Sequence, residues 1–169
     1  MHESPEELER LQQVLDASAA TAGAHLRSII SEERRVDALS LCQRLQGMCL
    51  LVVATVTADG RPLVGPVDGY FLHGTFWFSS GRDSVRMRHL SARTAVSATY
   101  LPGQEFAVTV HGRAELFDVL DPAHGELEQA MLDFYLPKQG PAFETWLHAE
   151  NPIGAKIVPE KIFTFQMTT

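Results

Sequence analysis

Cysteine is scarce: Cys42 and Cys49 are the two in 169 residues. They lie in or beside apolar runs, with no histidine or further cysteine at ligand spacing, so they do not make a zinc site. Two free thiols in a reducing compartment are expected. Net positive charge is also missing. Lys and Arg number 14 against 21 Asp and Glu, a formal charge of -7. General affinity for nucleic acid or anionic lipid needs a basic face, so neither is expected as a partner. No apolar run approaches the ~20 residues that a membrane helix needs. The N-terminus, Met1-His2-Glu3-Ser4-Pro5-Glu6-Glu7, is acidic and has no apolar stretch of the kind a signal peptide carries. A cytoplasmic protein is the expectation. Gly-x-Ser-x-Gly and the dinucleotide-binding glycine fingerprint are absent too, which leaves a serine hydrolase or a dinucleotide-fold dehydrogenase unsupported.

What is present is an ordinary globular composition, 45% hydrophobic and 21% charged. The length suits one domain, and a chain of this size buries about 70% of its unfolded surface without staples. Residues 4 to 46 have helical character. Ser4 is a good N-cap, Pro5 fits the first helical position, and Leu8, Leu11, Val14 and Leu15 make an apolar stripe. Gly23 should break this helix, and a second one is predicted from about Ser31 to Leu45, closed by Gly47.

From Met48 the pattern turns to strand. Residues 49 to 57 form a β-branched run, and Ala58-Asp59-Gly60-Arg61-Pro62 is a turn. A second strand, Leu63 to Leu72, carries Gly65 and Pro66 in its middle, so it is an edge, is bulged, or faces a ligand. His73-Gly74 fits a two-residue hairpin loop leading to Thr75–Ser79. A short helix within residues 81 to 93 precedes strands at 95–100 and 105–117, with Gly112 suggesting a bulge. Asp121-Pro122 opens a helix, and Phe143, Trp146 and Leu147 suggest another. The chain closes with Ile153–Val158, a Pro159-Glu160-Lys161 turn and Ile162–Gln166. Six or seven hairpin-linked strands with helices at both ends and between them predict a small antiparallel barrel.

Two stretches carry candidate chemistry. Within residues 82 to 93, Arg82, Arg86, Arg88 and Arg93 face one carboxylate, Asp83, giving a local charge of +3 in an acidic chain. This cluster lies where a strand ends and a helix begins, and there the free N–H groups and the helix dipole favour an anion. Ser79, Ser80 and Ser84 add hydroxyl donors, and Arg82 and Arg86 have the forked geometry that suits phosphate. The same spacing also fits a solvated helix with exposed arginines. The second stretch is Val64-Gly65-Pro66-Val67, where small residues in mid-strand would let a flat ligand meet the backbone; an irregular edge strand is the plainer alternative. His25, His73, His89, His111, His124 and His148 are scattered, with no pair at ligand spacing.

Together the stretches resemble a known family. The order is an apolar strand, Asp-Gly-Arg-Pro, Val-Gly-Pro-Val, a strand into Ser-Ser, Arg-x-Ser-x-Arg-x-x-His-Leu and a strand Ala-Val-Ser. It is similar to the pyridoxamine 5′-phosphate oxidase-like, FMN-binding split-barrel family, which includes flavin- and deazaflavin-dependent oxidoreductases. The resemblance covers about residues 33 to 166 and ends in Ile157–Phe163, which is similar to the family's last hairpin.

The resemblance implies a mainly β fold with flanking helices, a split antiparallel β-barrel of the FMN-binding type. It implies an N-terminal helical extension over residues 1–30 and a cofactor-binding barrel over 31–169. It implies a homodimer with the cofactor in the groove between subunits, and a small-molecule substrate. Val64, Gly65, Pro66 and Val67 match the strand that meets the flavin ring. Ser79 and Ser80 match the strand end near the ribityl chain and phosphate, and Arg82, Ser84 and Arg86 match the phosphate-binding turn. The family commonly has Lys where Arg86 stands, and often Asn where His89 stands. The basic C-terminal motif of true pyridoxamine phosphate oxidases is missing, so vitamin B6 oxidation is not expected. Either FMN or the deazaflavin F420 fits, with hydride transfer supplied by the cofactor. The alternative is a non-catalytic split barrel that carries flavin, deazaflavin or haem.

Overall fold

The computed structural model describes residues 1–168. Alternation along Met48–Val56 (β1) buries Cys49, Leu51, Val53 and Thr55 and leaves Leu50 and Val52 outside. Gly60 takes φ 83 in the turn that leads to β2, Pro62–Leu72. His73 and Gly74 both have positive φ, 54 and 78. That is what a two-residue loop needs to match the strand twist, and it joins β2 to β3, Thr75–Ser80. Helix α4, Val85–Ala92, then leads into β4, Ala95–Tyr100, and β5, Phe106–Asp118.

The strands close an antiparallel barrel in the order β1-β2-β3-β6-β5-β4, where β6 is Ile153–Gln166. The mainly β architecture with flanking helices is thus as expected, with six strands among the described residues. The closing segment differs from expectation. Residues 153–158 and 162–166 are not two strands around a turn but one continuous strand. Strand β5 supplies a partner along its whole length, from Phe106↔Gln166 to Asp118↔Ile153. The Pro-Glu-Lys sequence sits in a bulge, where His111 pairs with Lys161 and Gly112 with Pro159. A Cβ on Gly112 would stand 2.1 Å from the Val158 carbonyl oxygen, so only glycine permits this approach.

The helices before the barrel also differ from the sequence pattern. Ser4 and Glu7 form a reciprocal capping box on α1, Pro5–Thr21. Gly23 then starts α2, Ala24–Ile29. Ser31 makes no cap bond. It opens a single 3-10 turn, Glu32–Arg34. The expected second helix begins instead at Asp37, whose carboxylate accepts from the Ser40 amide at 2.9 Å, and runs as α3, Ala38–Arg44.

One apolar cluster joins Leu11 and Leu15 of α1, Leu41 of α3 and the barrel residues Leu51, Phe71, Phe76, Phe78 and Ile162. Buried hydrogen bonds fasten the N-terminal segment to β6. The Ile162 amide donates to Ser18 Oγ, and the Val36 amide donates to Thr164 Oγ1, each at 2.9 Å. A second cluster lies under α5, Gly125–Gln139, and α6, Ala142–Glu150. It gathers Tyr70, Trp77, Phe117, Leu127 and Leu147. Cys42 and Cys49 are free and buried, and desolvation pushes both thiols up to about 12, which keeps them unreactive. Among the described residues no helix is long and apolar enough to cross a membrane.

Candidate functional site

Strand β2 has two unlike halves. Gly69–Leu72 pairs with β3, and Gly69 and Tyr70 pair with β1 as well, whereas among the described residues Pro62–Asp68 pairs with β1 alone. The outer half therefore presents a free edge at the rim of the barrel. Pro66, which has no N–H to offer a ladder, fits an edge.

Helix α4 faces that edge. Ser84 caps it, its Oγ accepting from the Met87 amide at 3.3 Å. The capped turn fixes Arg86 in the first turn of the helix and directs its side chain back over β2. Arg86 Nη2 donates to the Pro66 carbonyl at 3.2 Å. The same nitrogen stands 3.0 Å from where a Gly65 Cβ would be, so the glycine makes room for the guanidinium. A pocket of about 120 Å³ lies here, lined by Val53, Thr55, Leu63, Val64, Val85 and Arg86 around Gly65. Arg86 is half-buried, and desolvation lowers its pKa from the usual arginine value. Among the described residues no carboxylate pairs with it. A desolvated guanidinium that has only a carbonyl partner, beside a helix N-terminus, suits an anion. His89 lies deeper, its Nδ1 at 3.0 Å from Thr55 Oγ1.

Arg82 is placed differently. Its guanidinium makes an ion pair with Asp118, and both line a separate shallow groove with Met87, Arg88 and Ile153. The structure does not bring Arg82 and Arg86 to one pocket. Ser84 serves α4 as its cap. Val67, Ser79 and Ser80 line a third space, a cleft of about 440 Å³ between the β2–β3 face and helices α5 and α6. Ser79 Oγ donates to the Met131 thioether at 3.6 Å. The expected residues thus form a string along the rim: Gly65 and Arg86 at one point, Val67 and the serines at the next.

The cleft also holds groups that the sequence pattern did not single out. The Tyr135 hydroxyl donates to the Asp68 carboxylate. Tyr70 is 2% exposed, and among the described residues its hydroxyl has no hydrogen-bond partner. Burial, with Tyr135 and Asp68 nearby, raises the pKa of that phenol. Their one sequence signal is Asp68 itself, an acid inside a strand, where acids are depleted. Outside the cleft, Leu50, Val52 and Val64 are 55%, 45% and 65% exposed. Val52 pairs with Pro66, so they form one apolar face on β1 and the outer half of β2.

Comparison with known proteins gives a consistent fold. No curated protein matches the chain. A conserved hypothetical protein from Mycobacterium tuberculosis superposes with a TM-score of 0.65 at 17% identity, over 80% of this chain and 88% of that one. The heme storage protein from Vibrio cholerae gives 0.58 at 15% identity, over 76% and 91%. An F420 reductase gives 0.53 at 20% identity, over 70% and 91%. At such identities the likeness is one of fold. The sequence model for pyridoxamine 5′-phosphate oxidase matches residues 43–143, which is more than half of the chain and takes in β1 to α5. With this match and its closed six-stranded barrel, the chain belongs to the pyridoxamine 5′-phosphate oxidase-like family of split barrels.

Proposed function

We propose that this protein holds FMN or the deazaflavin F420 at the barrel rim, as a homodimer, and acts as an oxidoreductase on a small molecule. The observation that carries this is Arg86, a half-buried cation with no carboxylate partner among the described residues, laid over the backbone of Gly65 and Pro66. The residues present fit a phosphate-bearing ring. Arg86 and the first N–H groups of α4, which have no intrahelical partner, would bind the phosphate. The backbone of Val64–Val67 would face the ring's edge, and Ser79 and Ser80 would hold the connecting chain. Arg82 joins them only by leaving Asp118. When bound, such a ring supplies hydride chemistry, and the protein's work is to bind, orient and shield it.

The apolar face of Leu50, Val52, Val64 and Pro66 supports the dimer. A second copy laid on it would remove these side chains from water and supply the other wall of the groove. Fold neighbours include an F420 reductase and a heme storage protein, so the test must separate these ligands.

The absorption spectrum of the purified protein, before and after a reductant, distinguishes flavin, deazaflavin and haem. Titration of FMN and F420 against wild type and Arg86→Ala then tests the anchor. Tight binding lost in the variant, with turnover of an electron acceptor, supports the proposal. A haem spectrum without turnover would replace the enzyme with a carrier.

A further inference from the structure

The cleft beside Ser79 and Ser80 differs in charge from the rest of the rim. Arg82, Arg86 and Arg88 lie around α4, but among the described residues no lysine, arginine or histidine lines the cleft. Its charged groups are Asp68 and Glu150. Its walls are aromatic. Tyr135 stacks on Phe143 with ring centroids 4.5 Å apart and 24° between planes, and Trp146 continues the series at 5.5 Å from Phe143. Aromatic faces and carboxylates share one preference, for positive charge. Deep in the same wall, the orphaned Tyr70 hydroxyl keeps an unused oxygen beside Asp68. A buried hydroxyl without a partner is costly, and a ligand N–H would satisfy it. Trp146 is 50% exposed, so its ring stands at the entrance.

We propose that this cleft takes a protonated organic amine bearing an apolar or aromatic group. The ammonium N–H groups donate to Asp68 and to the Tyr70 oxygen. The apolar part lies along Tyr135, Phe143 and Trp146. The rim is then divided by charge, with the anionic cofactor group of the proposed function on Arg86 and the cationic ligand in the aromatic cleft. The ligand class of the cleft stands on its own geometry, independent of the cofactor.

Calorimetric titration with benzylamine, benzyl alcohol and benzoate tests it, on protein with and without cofactor. Benzylamine should bind about tenfold or more tighter than benzyl alcohol, the scale of a partly desolvated cation–π and ionic contact, and benzoate should bind weakest. Asp68→Asn should abolish the preference for the amine. Trp146→Ala, at a half-exposed position where the fold survives, should weaken benzylamine severalfold and quench less of the tryptophan signal. Equal affinity for amine and alcohol, preference for benzoate, no heat with benzylamine, or a preference that persists in Asp68→Asn would each overturn the inference. Cofactor affinity on the same samples keeps the two proposals apart. Cofactor binding without amine preference overturns this one alone. Amine preference without FMN or F420 binding supports the cleft's ligand class and overturns the oxidoreductase reading.

Discussion

The two halves of β2 are one strand under two regimes. Gly69–Leu72 pairs with β3 throughout, Gly69 and Tyr70 pair with β1 too, and all four residues are buried. There Phe71 meets Phe76 edge to face, with centroids 5.0 Å apart. In Pro62–Asp68 one edge is free, and Gly65 and Pro66 replace the β-branched residues that a barrel wall prefers. The inner half contributes cohesion. The outer half keeps its backbone available, and Arg86 rather than a neighbouring strand lies over it. A contiguous strand can therefore divide stability from binding within eleven residues.

That division is testable by comparing the thermal midpoint of the cofactor-free protein with cofactor affinity in each variant. The largest effect is expected from Phe71→Ala in the inner half, about 3–5 kcal/mol of stability for a buried phenylalanine. Denaturant unfolding measures it. A loss under about 1 kcal/mol would mean that the inner half is not the cohesive one. Arg86→Ala should do the reverse, weakening FMN or F420 by about 1.5–3 kcal/mol, the scale of a charged hydrogen bond, with the midpoint kept. Unchanged fluorescence titrations would make the outer half a plain edge.

Gly65→Val sharpens the contrast. Its Cβ would press on Arg86 Nη2, the movable end of a long side chain. Affinity should fall by no more than in Arg86→Ala, while the midpoint holds. A midpoint that falls with it would put backbone cohesion in the outer half as well. Arg82→Ala removes an exposed ion pair with Asp118, worth about 0–1 kcal/mol, and should change cofactor affinity less than Arg86→Ala. An equal or larger loss of affinity would show that Arg82 leaves Asp118 for the ligand.

A control lies outside β2. Asp37→Ala removes the α3 cap and should cost about 1 kcal/mol with binding unchanged. Hydrogen bonds from the Ser40 amide and hydroxyl hold the Asp37 carboxyl below its ordinary value of 3.8. A depressed folded pKa means that the stabilisation is complete above the unfolded value and is lost as pH falls through the folded one. The difference between wild type and Asp37→Ala should therefore shrink in acid below about pH 4 and be flat near neutrality. A difference that grew in acid would contradict the cap.

Much of this was legible in the sequence, and the exceptions share a cause. The barrel was legible because alternation and turn chemistry are local: Asp59-Gly60 and His73-Gly74 each announce a reversal within a few residues. Pro159-Glu160-Lys161 misled because a bulge uses turn residues too, and only the register against β5 separates them. Asp37 prevailed over Ser31 because its carboxylate reaches the Ser40 amide. At the site, Gly65 and Pro66 signalled an unusual strand, but the occupant of the space beside Gly65 was not readable. Arg86 lies 20 positions away from Pro66, and Asp118 lies 36 from Arg82. The aromatic cleft was hidden because Tyr135, Phe143 and Trp146 have ordinary core spacing on helices. Its charge pattern exists only once β2 and α5 meet.

The continuity of β6 has a consequence for how the molecule is made. This strand pairs with β3 and β5, donates a buried tie to Ser18 and accepts one from Val36, so it is the stave that shuts the barrel. During synthesis, strands β1 to β5 emerge first and wait with two open edges until residues 153–166 leave the ribosome. The ties span 144 and 128 positions, so their loop-closure entropy must be met late. The nascent chain is therefore most prone to edge-to-edge sticking in that interval, and chaperones that shield strand edges have their longest window just before the final fourteen-residue strand arrives.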